Sequence, residues 1–197
     1  MRLVLASGSA RRARLLDQLG LAYEVMPADI DETRRPKEPP AAYVERMARE
    51  KVAAVNNSDD IVIAADTAVV FNGQLLGKPA HPEEARSMLR RLQGGRHEVF
   101  TGVAVGRGGQ VESLVDVTHV RMVTMTDTEI AGYVDDGEPM DKAGSYALQG
   151  RGGVFVESVS GSPFTVVGLP IHLLPRLLRK VGVTMELIQR PPRLYEE

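Results

Sequence analysis

An α/β fold on a mixed sheet is what this sequence predicts, from three observations. Apolar runs of strand length interleave with amphipathic runs of helix length. The breaks between them are Gly, Pro, Asn and Ser clusters, the usual punctuation of such elements. Two of the strands are adjacent enough to form an antiparallel hairpin, within a chain that otherwise alternates strand and helix.

Leu3 to Ala6 is a short buried strand, and Ser7-Gly8-Ser9 breaks it before a helix from Ala10 to Leu19, with Gly20 at its C-terminal cap. Arg35 to Pro40 is a short loop. Ala41 to Val55 forms a second helix whose apolar stripe includes Val44, Ala48, Val52 and Val55. Ile61 to Ala65 is a strand. Ala68 to Phe71 carries the apolar character on to a turn at Asn72-Gly73, and Asp66-Thr67 interrupts the two. Pro82, then Glu83 and Glu84, then Arg90 and Arg91, then Gly94-Gly95 mark a third helix, because each suits the dipole or the cap at its end. Val99 to Val105 and Val111 to Val123 are the hairpin strands, joined by Arg107-Gly108-Gly109-Gln110 with a bulge. Thr126-x-x-Glu129 is a capping box that opens a helix to Val134. A loop from Asp135 to Gly153, a strand from Val154 to Val159 and a helix from Pro170 to Val181, with Pro175 awkward inside it, complete the chain.

The 197 residues suit one folding unit spanning 1–197. Apolar residues at 43% and charged residues at 25% exclude a disordered or fibrous chain. With 24 basic and 26 acidic side chains the formal charge is −2, so no overall positive field holds a nucleic acid and an anionic ligand must be met locally. The absence of cysteine excludes disulfides, thiolate metal sites and cysteine nucleophiles, and favours a reducing compartment. No apolar run has the length of a membrane span or an export signal, so the cytoplasm is the default location.

Several charges sit in unexpected places. Arg11 and Arg12 occupy the opening turn of the first helix, where the dipole disfavours cations unless an anion is bound; otherwise they are solvated surface arginines. Asp66 stands at the end of a buried strand, which calls for a metal ion, a nearby cation or a raised pKa, or else an Asx-turn with Thr67. Lys51 falls on the apolar stripe of the second helix, where it either snorkels or serves the function. Gly73 to Pro79 fails as a phosphate loop, because three residues rather than four separate the glycines and Pro79 replaces the hydroxyl. Lys78 is then a point charge for phosphate or an ordinary loop lysine. Asp141 to Gly150 combines opposite charges, small residues and an amide in a long loop. His81, His97, His119 and His172 lack metal-ligand spacing and read as structural or exposed; Met122 and Met125 read as core filler.

Ser7-Gly8-Ser9-Ala10-Arg11-Arg12, Ala65-Asp66-Thr67, Gly77-Lys78-Pro79, Thr101-Gly102-Val103 and Asp141 to Tyr146 with Gln149-Gly150 together resemble the ordered signature of the Maf (septum-formation) family, from about residue 3 to 180. The resemblance implies an elongated mixed sheet with flanking helices and two lobes around a cleft. It also implies a pyrophosphatase that cuts nucleoside triphosphates between the α- and β-phosphates with a divalent metal, Mg²⁺ or Mn²⁺, often as a homodimer. Carried over, Asp66, Glu32, Lys51 and Lys78 are the catalytic groups, with Asp66 and Glu32 holding the metal. Ser9, Arg11 and Arg12 bind phosphate or fix the nucleotide, and Lys142 adds a cation. Arg11, Thr67 and Gln149 resemble the base-selecting positions of the branch acting on dTTP and UTP. The branch acting on methylated GTP shows Ser-Asp-Gln where this chain has Ala65-Asp66-Thr67. Ala10 replaces the family's usual proline and Ala147-Leu148 its usual Gly-Ile, and the second departure bears on base preference.

The expected mechanism gathers the polyphosphate on Arg11, Arg12, Lys51, Lys78 and Lys142 while Asp66 acts either as general base or as metal ligand. The alternatives are a non-catalytic nucleotide-binding regulator of cell division, and a nucleotidyltransferase that needs an acceptor.

Overall fold

The computed structural model describes residues 2–55 and 60–187, so both ends of the predicted 1–197 unit lie outside the described residues. Its centre is a seven-stranded mixed sheet. Strand β1 (Leu3–Leu5) runs parallel to β2 (Glu24–Val25) on one side and to β3 (Ile61–Phe71) on the other. From β3 onward the pairing is antiparallel, through β5 (Arg96–Arg107), β6 (Gln110–Met122) and β7 (Val156–Ser160), while β4 (Gln74–Leu76) folds back on the far end of β3.

Helices α1 (Ala10–Gln18), α2 (Pro40–Val55), α3 (Pro82–Leu92) and α4 (Asp127–Asp135) match the expected positions to within about a residue, because each has a legible start signal. His81 caps α3 by accepting from the Glu84 N–H at 3.2 Å, and the Thr126–Glu129 capping box of α4 is formed in both directions.

Strand β3 departs from expectation. Asp66-Thr67 does not interrupt it; eleven residues run unbroken because the backbone pairs with β5 straight through, Asp66 against Gly102 and Thr67 against Thr101. Asp66 is therefore in mid-strand. The hairpin β5–β6 is also tighter than expected: Arg107 pairs directly with Gln110, and Gly108 and Gly109, at φ 57° and 81°, form a two-residue turn without a bulge. The irregularity in β6 lies instead at Arg121/Met122, against β7. Pro175 breaks the predicted last helix into a 3₁₀ turn at Ile171–Leu173 and α6 (Leu174–Lys180), in whose first turn a proline costs no hydrogen bond. Helix α5 (Pro163–Val167), β2 and β4 were not foreseen, being too short to show a period. The loop after α4 contains 3₁₀ segments at Glu138–Asp141, Ala143–Ser145 and Arg151–Phe155. Among the described residues no helix is long and apolar enough to cross a membrane.

Side chains alternate across a strand, and this divides the core. Val62, Ala64 and Ala104 pack against Ala48 and Val52 of α2. On the opposite face Ile61, Ile63, Val103 and Val105 join Leu15 and Leu16 of α1 and Leu177 and Leu178 of α6. Further along that same face Val69 and Val99 belong to a separate cluster with Leu89 of α3 and Ile130 of α4. Between the two clusters the face carries Thr67 and Thr101, whose hydroxyls meet at 3.0 Å. The apolar core is interrupted there, and the cleft opens beside that break.

Candidate active site

All ten residues that the sequence singles out line one cleft of about 970 Å³. Adjacent positions on β3 reach it from opposite faces of the sheet.

Asp66 shares the α2 face with Val62 and Ala64, and there it meets Lys51. Gly102, opposite Asp66, makes this approach possible: a Cβ on it would run into the backbone of Val44 and Glu45, so α2 lies directly on the sheet at that point. The Lys51 side chain is 9% exposed and does not snorkel. Its Nζ lies 2.7 Å from Asp66 Oδ1 and 2.7 Å from Glu32 Oε1, bridging the two carboxylates. Burial alone would raise the Glu32 pKa; the hydrogen bond from Lys51 and the charges of Lys51, Lys78 and Arg12 outweigh it and hold that carboxyl below its ordinary range. Tyr43 donates to the backbone carbonyl of Glu32 at 3.0 Å, and burial beside Asp66 and Glu32 pushes its own pKa up to about 12, so it stays a neutral phenol.

Thr67 faces the other way, toward Arg12. Arg12 donates through Nε to the Gly168 carbonyl at 2.8 Å, through Nη1 to Ser7 Oγ at 2.9 Å and through Nη2 to Thr67 Oγ1 at 3.3 Å. The two arginines of α1 are therefore unlike. Arg12 spends three of its donors tying β1, β3 and the turn after α5 together, so it is an organiser rather than the free fork expected from sequence. Arg11 is 3.3 Å from Asp141 across the cleft mouth. Ser9 stands at the N-cap of α1 without capping it, so the helix's opening N–H groups lie beside the cleft among the described residues without a side-chain partner.

Lys78 is exposed on the loop after β4 and close enough to Glu32 to lower its pKa. Lys142 is paired with Asp141 and donates to the Glu138 carbonyl at 3.0 Å, which makes it less free than its place in the sequence suggests. Gln149 is exposed at the rim. Tyr43, Glu138 and Tyr146 also line the cleft; sequence reasoning missed the first two and placed Tyr146 in the signature without a role. Tyr43 falls one position before Val44 on α2, a little over two turns before Lys51 and beside the same apolar stripe. Glu138 sits in irregular backbone just before the quoted signature and gave no such signal.

Among the described residues no three His, Cys, Asp or Glu side chains gather as a self-sufficient metal site. Asp66 and Glu32 remain a pair of hard oxygen donors around one cationic position, now held by the Lys51 ammonium. That donor set fits Mg²⁺-like ions, which take one or two carboxylates and complete their shell with substrate phosphate and water.

A family model described as Maf-like protein matches residues 2–181. The dTTP/UTP pyrophosphatase of Anaeromyxobacter dehalogenans is 54% identical over 186 residues, covering 92% of this chain and 94% of its own length. That of Halalkalibacterium halodurans is 47% identical over 182 residues, covering 91% and 96%. The solved structure of the Staphylococcus aureus Ham1 protein aligns with a TM-score of 0.43 and 16% identity over 62% of this chain and 72% of that one, a likeness too slight to argue from.

Proposed function

The chain belongs to the Maf family, and from that premise we propose that it hydrolyses dTTP and UTP to the nucleoside monophosphate and pyrophosphate. One observation supports the reading above the others: a net-acidic chain gathers Arg11, Lys51, Lys78 and Lys142 with the carboxylates of Asp66 and Glu32 around a single cleft. Cations alone would suit any anion. A carboxylate buried among them, Asp66, with Glu32 at its side, is what a hydrolase adds, because water must be oriented and must lose a proton.

In this reading water attacks the α-phosphorus, the bond to the bridging oxygen breaks and pyrophosphate departs. Asp66 orients the water and accepts its proton, and Lys51 fixes the Asp66 carboxylate against Glu32. Lys78 meets the charge that accumulates on the departing pyrophosphate, and the opening turn of α1 with Ser9 offers N–H and O–H donors to phosphate oxygens. Asp66 and Glu32 are the residues that would hold a divalent cation, which when bound neutralises phosphate charge and polarises the P–O bonds. Thr67, Arg11 and Gln149 select the base.

The test is product analysis. The purified chain, incubated with Mg²⁺ and separately with dTTP, UTP and dGTP, is expected to release pyrophosphate and monophosphate in equal amounts, fastest with the two pyrimidines and with no acceptor but water. Release of orthophosphate and a diphosphate would place the cut elsewhere and overturn the reading.

A further inference from the structure

The segment from Ala147 to Gly152 forms the rim at which Gln149 is exposed, and two side chains pin its backbone at both ends. At the first end the Tyr133 hydroxyl accepts from the Ala147 N–H at 3.1 Å and donates to Glu138 Oε1 at 2.7 Å. At the other end Glu138 accepts from the Gly152 N–H through Oε1 at 3.0 Å and from the Arg151 N–H through Oε2 at 2.9 Å. Three backbone donors thus converge on a single hydrogen-bonded tyrosine–carboxylate pair. The packing leaves no slack: a Cβ on Gly150 would meet the Glu138 carboxylate, and one on Gly152 would meet the Tyr133 hydroxyl. The anchor is also chemically suited to its task. Burial would raise the Glu138 pKa, but the hydrogen bonds from Gly152, Tyr133 and Arg151 outweigh it, so the group stays an ionised acceptor.

We propose that Glu138 and Tyr133 are positioning residues for base discrimination, acting through the backbone of Ala147 to Gly152 to fix where Gln149 meets the nucleobase. This rests on the proposed triphosphate hydrolysis for its functional half and on hydrogen bonding alone for its structural half. Glu138 follows α4 and Tyr133 lies within it; neither is bonded to Asp66, Lys51 or Glu32, and the pair's link to the cleft cations is Lys142, which donates to the Glu138 backbone carbonyl at 3.0 Å.

Two variants and two readouts test it. Glu138→Gln removes the charge and replaces one of the two accepting oxygens with an NH2 group that cannot accept, and Tyr133→Phe removes one hydroxyl and almost no volume. Amide hydrogen exchange is expected to lose about tenfold or more of its protection at whichever of the Arg151 and Gly152 N–H groups faces the new NH2 in Glu138→Gln, and at Ala147 in Tyr133→Phe. In both variants KM for dTTP is expected to rise about tenfold with kcat held within about threefold, and the dTTP-to-dGTP ratio of kcat/KM to fall about tenfold. Unchanged protection would overturn the pinning. Equal losses of kcat on both nucleotides with the ratio preserved would overturn the discrimination role. A wild-type chain inactive on all triphosphates would sink the proposed activity instead, and exchange would still decide whether the pair holds the rim. Should Glu138→Gln fail to fold, Tyr133→Phe carries the same pair of outcomes.

Discussion

At the charged end of the cleft, Asp66 and Lys51 sit on a strand and a helix whose other side chains are core, whereas at the rim Gln149 rides on irregular backbone held by Tyr133 and Glu138. The first arrangement is rigid because moving it means unpacking Val62, Ala64 and Val52. The second is held chiefly by hydrogen bonds, each individually weak, and by the close fit of Gly150 and Gly152 against Glu138 and Tyr133. The proposed chemistry thus stands on the part of the fold that cannot give, as does Thr67 in mid-β3, and the share of selection proposed for Gln149 stands on the part that can be retuned without disturbing the sheet.

Lys51→Met is the harshest test of that contrast. It leaves Asp66 buried beside Glu32 without the shared ammonium, and the expected cost is about 3 kcal/mol of stability, together with about a 100-fold fall in turnover on dTTP and UTP alike. Denaturation curves and pyrophosphate release measure the two effects, and a change in the ratio between bases would blur the division between the ends. Gly102→Ala pushes α2 off β5 by its backbone and should cost at least about 2 kcal/mol, read by chemical denaturation.

The rim end has its own sensitivity, to acid. His97 on β5 is buried against Tyr146 and bonded to its hydroxyl at 2.8 Å, while Nδ1 is buried without a partner among the described residues. Burial pushes the His97 pKa down to about 4 from 6.5. The imidazole is therefore neutral in the fold, and between pH 6.5 and about 4 the unfolded chain takes up a proton that the folded one refuses. The stability present above pH 6.5 is lost as pH falls through that window, by about 2 kcal/mol at pH 5. Denaturation at pH 8 and pH 5 should show that extra loss in the wild type and not in His97→Gln, which keeps a hydrogen-bonding group but does not titrate. The smallest effect is expected of Thr126→Ala, which undoes the capping box of α4 beneath Tyr133: about 1 kcal/mol in stability, with turnover on dTTP unaltered.

The same contrast governs what could be read from sequence. Helices α1 to α4 were legible from the breaks before them and their apolar periods, α3 also from dipole-matched charges at both ends and α4 from its capping box. Asp66 was correctly seen as out of place, but as the end of a strand, because a lone sequence cannot reveal that Lys51 will arrive fifteen residues away to neutralise it over a glycine. Arg12 looked like Arg11 for a similar reason. Only the fold shows that its donors are taken by Ser7, Thr67 and Gly168. Glu138 and Tyr133 stayed invisible because their partners are backbone N–H groups of a loop without a period, and such partners leave no trace in residue type.

The account depends most on Asp66, and Asp66→Asn tests it most directly, since the change keeps shape and removes the proton acceptor. Pyrophosphate release from dTTP should fall at least about 100-fold while circular dichroism and the denaturation midpoint show a folded chain. Near-normal release from that folded variant would contradict the account and remove Asp66 from the reaction.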